Sequence, residues 1–179
     1  QYFIRKFSAL ESKDVVVIAP EGLSRFYLEP IEGAGRKSNR VGATWMTKED
    51  RLVDIENYMN YLDSVFATTV GNRDVPVSVL GFSQGSATAS RWILSQNIRF
   101  NRLILWAGIL PTDMDFQLGA DVLKDKSVVM VYGKQDPFLT DARFTEMKSL
   151  VEKLNTKVDI VTFEGGHDIE ESCLLRLFL

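Results

Sequence analysis

The sequence predicts an α/β fold, a mostly parallel sheet with helices on both faces and right-handed crossovers. Three observations lead there. Apolar runs of strand length recur along the chain, at residues 15–20, 75–80, 102–107, 128–132 and 158–163. Most are apolar without alternation, the pattern of strands covered on both sides. The stretches between the later runs carry helical spacing, so strand and helix alternate. With 179 residues, 45% hydrophobic and 25% charged, the chain suits one domain with a real core.

Taken in order, Tyr2, Phe3, Phe7 and Leu10 lie at helical spacing, as if entering a helix already under way. Gln1-Tyr2-Phe3 is neither a Met start nor a leader, so we expect the domain over 1–179 to be N-terminally incomplete, its first strands lying outside this chain. The run Val15-Val16-Val17-Ile18-Ala19-Pro20 reads as a strand buried on both faces. Periodicity is then lost over residues 21–44, where Gly33, Gly35, Gly42 and the basic cluster Arg36, Lys37 and Arg40 occur. A long excursion of this kind in a compact domain is expected to form a cover or rim over a site. Thr47 followed by Lys48-Glu49-Asp50 reads as an N-cap, and Leu52, Ile55, Tyr58, Met59, Leu62, Val65 and Phe66 mark one face of a helix ending near Gly71.

The strand Val75, Val77, Val79, Leu80 stops at Gly81-Phe82-Ser83-Gln84-Gly85 and passes at once into a small-residue helix over about 84–95. A strand at 102–107 follows, then the loop 108–115. The strand 128–132 ends in Gly133-Lys134-Gln135-Asp136-Pro137 and a helix over about 141–154 follows it. The strand 158–163 leads to Glu164-Gly165-Gly166-His167-Asp168 and a final helix over about 170–179.

Composition excludes several function classes. A net charge of −3 and a pI near 5.3, with no Lys/Arg-rich run and no zinc-spaced Cys/His set, argue against nucleic acid as a partner. The longest apolar stretches are too short to span a bilayer. Cys173 has no second cysteine to pair with and falls in an apolar pattern, as a buried inert thiol would. A reducing compartment, the cytoplasm, is expected; oligomeric state is left open.

The chemistry gathers at strand ends, where ligands bind in such sheets. A turn as sharp as Gly-x-Ser-x-Gly needs residues without Cβ on either side, and it holds the serine in a strained conformation with its hydroxyl above the sheet. Ser83 is the candidate nucleophile; the other reading is a turn whose serine merely caps the helix. A serine hydroxyl needs a base, and the chain has one histidine, His167. The imidazole needs a carboxylate, and Asp136 follows the penultimate strand in the order Ser, acid, His. Asp113, Asp115 and Asp168 are competing carboxylates. The backbone N–H of Gln84, following the nucleophile, is the expected oxyanion donor.

With these residues placed, the chain resembles the phospholipase/carboxylesterase family of α/β-hydrolases, the branch of acyl-protein thioesterase-like and bacterial carboxylesterase enzymes. The likeness is carried by VVVIAPEG, GATWM, GFSQG, YGKQDPF and GGHDI. It implies the α/β-hydrolase fold, a triad of Ser83, Asp136 and His167, and an oxyanion hole whose second donor would lie upstream of Gln1. It implies Trp45 beside the acyl site, although a core aromatic is an equal reading; Leu110 and Phe138 are further candidates for apolar acyl contacts. The function expected is hydrolysis of a small carboxylic ester with a short acyl chain, with no metal or organic cofactor. Rivals are a thioesterase or peptidase on the same fold, and a non-catalytic domain that binds through the same cleft.

Overall fold

In the computed structural model, which describes residues 2–11, 14–28 and 40–178, the chain opens with a 3₁₀ helix, Phe3–Leu10. It continues through β1 (Ser24–Tyr27), β2 (Val41–Thr44), α1 (Arg51–Thr69), β3 (Ser78–Phe82), α2 (Gln84–Ile93) and β4 (Arg102–Trp106). The remaining elements are α3 (Phe116–Leu123), β5 (Ser127–Gly133), α4 (Asp141–Leu154), β6 (Asp159–Phe163) and α5 (Glu171–Phe178). Two compact units result, Gln1–Ala19 with Asn72–Leu179, and Pro20–Gly71.

The larger unit holds a four-stranded sheet in the order β3-β4-β5-β6, every pair parallel. Alternate residues of its strands serve two cores. Ile104, Trp106, Val129, Val131 and Phe163 form one, closed by Phe7 and Leu10 of the 3₁₀ helix and by Ile169, Cys173 and Leu174 at and before α5. Leu103, Leu105 and Met130 point the other way and are equally buried. The helices linking the strands also bury apolar faces: Ala89 and Ile93 of α2, Leu123 of α3, and Met147, Leu150 and Leu154 of α4. They lie close together, since a Cβ on Gly119 of α3 would come within 3.0 Å of Leu154 Cδ1. Cys173 is fully buried, and burial pushes its thiol up, away from the reactive thiolate.

Residues 15–20 depart from the expected strand. No ladder among the described residues includes them; Val15 and Val17 pack on the core while Val16 is 85% exposed and Ile18 is 42% exposed. A continuous apolar run is buried on both faces only where packing covers both, and here one side of the backbone meets the core.

In the smaller unit, β1 and β2 pair antiparallel from Ser24↔Thr44 to Tyr27↔Val41, giving regular structure to part of the excursion where no periodicity was evident. Gly33, Gly35, Arg36 and Lys37 lie outside the described residues, as does the middle of the expected cover, residues 29–39. Thr47 does not cap α1. That helix begins at Arg51 after Asp50, which takes a left-handed conformation (φ 45°), while the Thr47 hydroxyl closes a local turn with the backbone of Glu49. The short hydroxyl competes for nearby backbone groups, and this turn satisfies it before the helix starts.

Candidate active site

The backbone of Ser83 has φ 53° and ψ −120°, outside the regions an L-residue prefers. Parallel pairing brings β3 to its last register position, Phe82↔Trp106, and one residue later the Ser83 N–H donates to the Trp106 carbonyl at 2.8 Å. The chain then reverses directly into α2. Ser83 occupies the N-cap position of that helix, yet its side chain makes no capping bond. The helix is instead tied by Ser86, whose buried hydroxyl donates to the Gly81 carbonyl at 2.9 Å. The capping reading of Ser83 therefore loses its support, and a half-buried hydroxyl is left at the end of the sheet. Gln84 opens α2, its N–H among the first-turn donors where anions bind helices.

Gly81 makes the reversal possible. A Cβ there would stand 2.3 Å from the Gly85 carbonyl oxygen and 2.6 Å from Ser86 Cα, both backbone atoms that cannot swing aside. Gly81→Ala is expected to cost at least about 1–3 kcal/mol of stability, measured by denaturant unfolding; an unchanged midpoint would contradict this packing.

His167 follows β6, and its Nδ1 lies 2.8 Å from Oδ2 of Asp136, beyond β5. The Asp136 side chain is 2% exposed. Its other oxygen accepts the Phe138 N–H at 2.9 Å, so both carboxylate oxygens are engaged. A carboxylate can only accept, so Nδ1 carries a proton, and in the neutral imidazole this leaves the lone pair on Nε2. The competing acids are occupied elsewhere. Asp113 pairs with Arg91 at 2.6 Å, and Asp115 caps α3 by accepting the Leu118 N–H. Asp168 pairs with Lys6 at 2.6 Å, a hydrogen bond that, with that of the Ile169 N–H, holds its carboxyl below the usual range.

The imidazole sits between two phenylalanines. Phe82, immediately before Ser83, has its ring centroid 5.0 Å away, and Phe138 stands edge-on at 4.7 Å. Phe82 thus sets the histidine ring beside the serine turn, although no hydrogen bond joins the Ser83 hydroxyl to His167. Such bonds commonly tighten only when substrate is bound. The Gly-Gly turn that carries His167 is packed closely, since a Cβ on Gly133 would lie 2.3 Å from the carbonyl oxygens of both Gly165 and Gly166.

Of the expected acyl contacts, Phe138 is 67% exposed beside the imidazole, whereas Leu110 is 1% exposed, sealed in the core without surface to offer. The loop after β4 runs through the interior at this point, with Ile109, Leu110 and Pro111 all buried. Trp45 belongs to the smaller unit, half-buried against Tyr58 and Tyr61 at ring distances of 6.1 and 6.5 Å. The sequence reading missed Phe82 and Trp106 as neighbours of the site. The G-x-S-x-G register alone places Phe82 next to the nucleophile. Among the described residues, no group of three or more His, Cys, Asp or Glu side chains is placed to share a metal ion, and no helix is long and apolar enough to cross a membrane.

The model of the FSH1 serine hydrolase family matches residues 8–172 of this chain. The chain belongs to the FSH1 serine hydrolase family. No curated protein matches it by sequence. Among solved structures, the FSH1-family chain is similar to an uncharacterized protein from Bacillus cereus, with 21% identity and a TM-score of 0.70, over 98% of this chain and 53% of the other. The chain thus spans about half the length of that protein. It is also similar to Zea mays acyl-protein thioesterase 2, with 14% identity and a TM-score of 0.58 over 78% of this chain and 71% of the other. Esterase PE8 gives 21% identity and a TM-score of 0.51 over 76% and 68%. At these identities the likeness is one of fold. It bears out the mixed α/β architecture with a parallel sheet flanked by helices, while the family model bears out the resemblance to serine hydrolases.

Proposed function

We propose that this FSH1-family protein hydrolyses carboxylic esters of short acyl chains through an acyl-Ser83 intermediate. Ser83 Oγ attacks the carbonyl carbon while Nε2 of His167 takes its proton. The carbonyl oxygen gains the electron pair as an oxyanion, received by the Gln84 N–H. Collapse expels the alkoxide, which leaves as alcohol with the proton from His167. Water then attacks the acyl-enzyme, giving one proton to His167; the Oγ–carbon bond breaks, the acid departs, and His167 returns that proton to Ser83 Oγ. Asp136 holds the imidazole in the tautomer each step requires.

The observation that carries this reading is the 2.8 Å Asp136–His167 contact beside a serine held at φ 53° with no capping bond. Exposed Phe138, next to the imidazole, suits an acyl or alkyl group, and an apolar contact of this kind discriminates chain length weakly, about 1–3 kcal/mol per methylene. A thioester is the second reading, favoured by the likeness to an acyl-protein thioesterase. We place the protein in the cytoplasm, acting on a small acyl donor.

Treatment with a fluorophosphonate, followed by peptide mapping, is expected to give one adduct on Ser83 and to abolish p-nitrophenyl acetate hydrolysis. An adduct elsewhere, or none, would count for a domain that only binds in this cleft. Parallel assays with acyl thioesters and aminoacyl amides separate thioesterase and peptidase activity from esterase activity.

A further inference from the structure

Trp106 is the last residue of β4 and is fully buried. Its main chain and side chain reach two different parts of the site. The carbonyl accepts the Ser83 N–H at 2.8 Å, and the indole Nε1–H donates to the Asp168 carbonyl, also at 2.8 Å. Asp168 is the residue after His167. One residue therefore links the nucleophile's turn, through its main chain, to the histidine's loop, through a rigid bicyclic side chain.

We propose that Trp106 is a positioning residue that sets the separation of Ser83 and His167, an inference resting on the hydrolase reading above. Before His167 the loop is held by its own backbone, the Gln135 N–H donating to the Gly165 carbonyl at 2.9 Å; the Trp106 bond adds a hold on the other side of the histidine, at Asp168. Were the loop to lift away, the indole N–H of the buried Trp106 would lose its acceptor, and an unsatisfied buried donor is costly. The indole ring is fixed in turn by Phe163, at a ring distance of 5.7 Å on the strand leading into the same loop. From the outside, Lys6 holds the Asp168 carboxylate and the Ile169 N–H donates to it at 2.7 Å. The Asp136 bond orients the imidazole within its loop, and the Trp106 bond holds that loop against β4, the strand paired with the serine's β3.

Trp106→Phe keeps an aromatic ring against Phe163 and removes the donor. Turnover of p-nitrophenyl acetate is expected to fall about 10- to 100-fold with KM changed less than about twofold, the signature of displaced reacting groups. A second readout follows from the histidine count. His167 is the one histidine in the chain, so a downfield imidazole Nδ1–H resonance reports on its bond to Asp136 without ambiguity. That signal is expected to broaden or exchange faster in Trp106→Phe, which a purely stabilising tryptophan would not cause under conditions where the variant stays folded. If kcat and the imidazole signal are both unchanged, the proposal is overturned. A third measurement needs no Trp106 variant. With the three tryptophans assigned through Trp45→Phe and Trp92→Phe, the wild-type Trp106 indole N–H is expected to exchange slowly with solvent, and rapid exchange would also overturn the tether. Ser83→Ala in the same series separates the two levels: full hydrolysis by that variant sinks the hydrolase reading and this inference together. Loss of hydrolysis there, with an indifferent Trp106→Phe, sinks the positioning role alone.

Discussion

Replacing Ser83 with alanine is expected to lower kcat for ester hydrolysis by about 10⁶-fold while leaving the fold intact, since triad members act as a unit and removing the nucleophile removes the covalent route altogether. The hydroxyl makes no capping bond to α2, and Ser86 supplies the local tie to the Gly81 carbonyl. Its deletion therefore costs the turn little, and thermal unfolding should shift by no more than a degree or two. Adding His167→Ala to Ser83→Ala should reduce the rate hardly further, because the base has no proton left to take. What remains would come from Gln84 and substrate binding alone. The measurement is kcat by p-nitrophenyl acetate assay for the two single variants and the double. Should Ser83→Ala keep more than about a hundredth of wild-type kcat, Ser83 is not the nucleophile. Should the double variant be slower than wild type by the product of the two single losses, the two residues do not work on one step.

The later half of the fold was legible in the sequence because its signals are local. The runs at 102–107 and 128–132 are continuous and apolar, and they become β4 and β5, the buried middle of the sheet. The helix expected over about 141–154 is α4, which opens on Thr140, whose hydroxyl accepts the Arg143 N–H. The site was legible in part for the same reason: parallel strands end along one rim, so residues just past strand ends are brought together by topology alone. What could not be read depends on distant partners or on backbone conformations without a residue signature. Asp50, in a left-handed conformation, displaced the start of α1 from Thr47. Residues 15–20 carry a strand's composition, but composition does not say whether both sides will be covered. The Trp106–Asp168 bond joins residues 62 apart, through an indole nitrogen and a main-chain carbonyl, and no spacing rule would pair them. Asp136 stood out among four carboxylates only through its position in the chain. The structure separates it by physical occupancy: Asp113, Asp115 and Asp168 are each committed to a cation or a helix end.

The same occupancy gives Asp136→Asn its expected effect, a fall in kcat/KM of about 10⁴-fold near neutral pH. The Phe138 N–H points at one oxygen of Asp136, and His167 Nδ1 lies at the other. Asparagine has a single oxygen, and the backbone donor requires it at the Phe138 position, because an amide nitrogen there would set donor against donor. The amide nitrogen is therefore turned toward Nδ1, where it can only donate. Nδ1 must then accept, and the ring proton moves to Nε2, the atom that should take the serine proton. The substitution thus leaves the side chain's shape unchanged and inverts the tautomer. Two measurements check this together: kcat/KM for an activated ester, and the downfield Nδ1–H resonance of His167, which should vanish from the variant. A variant within about tenfold of wild type would mean that the Asp136–His167 bond is structural. Loss of activity with the resonance retained would place the defect somewhere other than the tautomer.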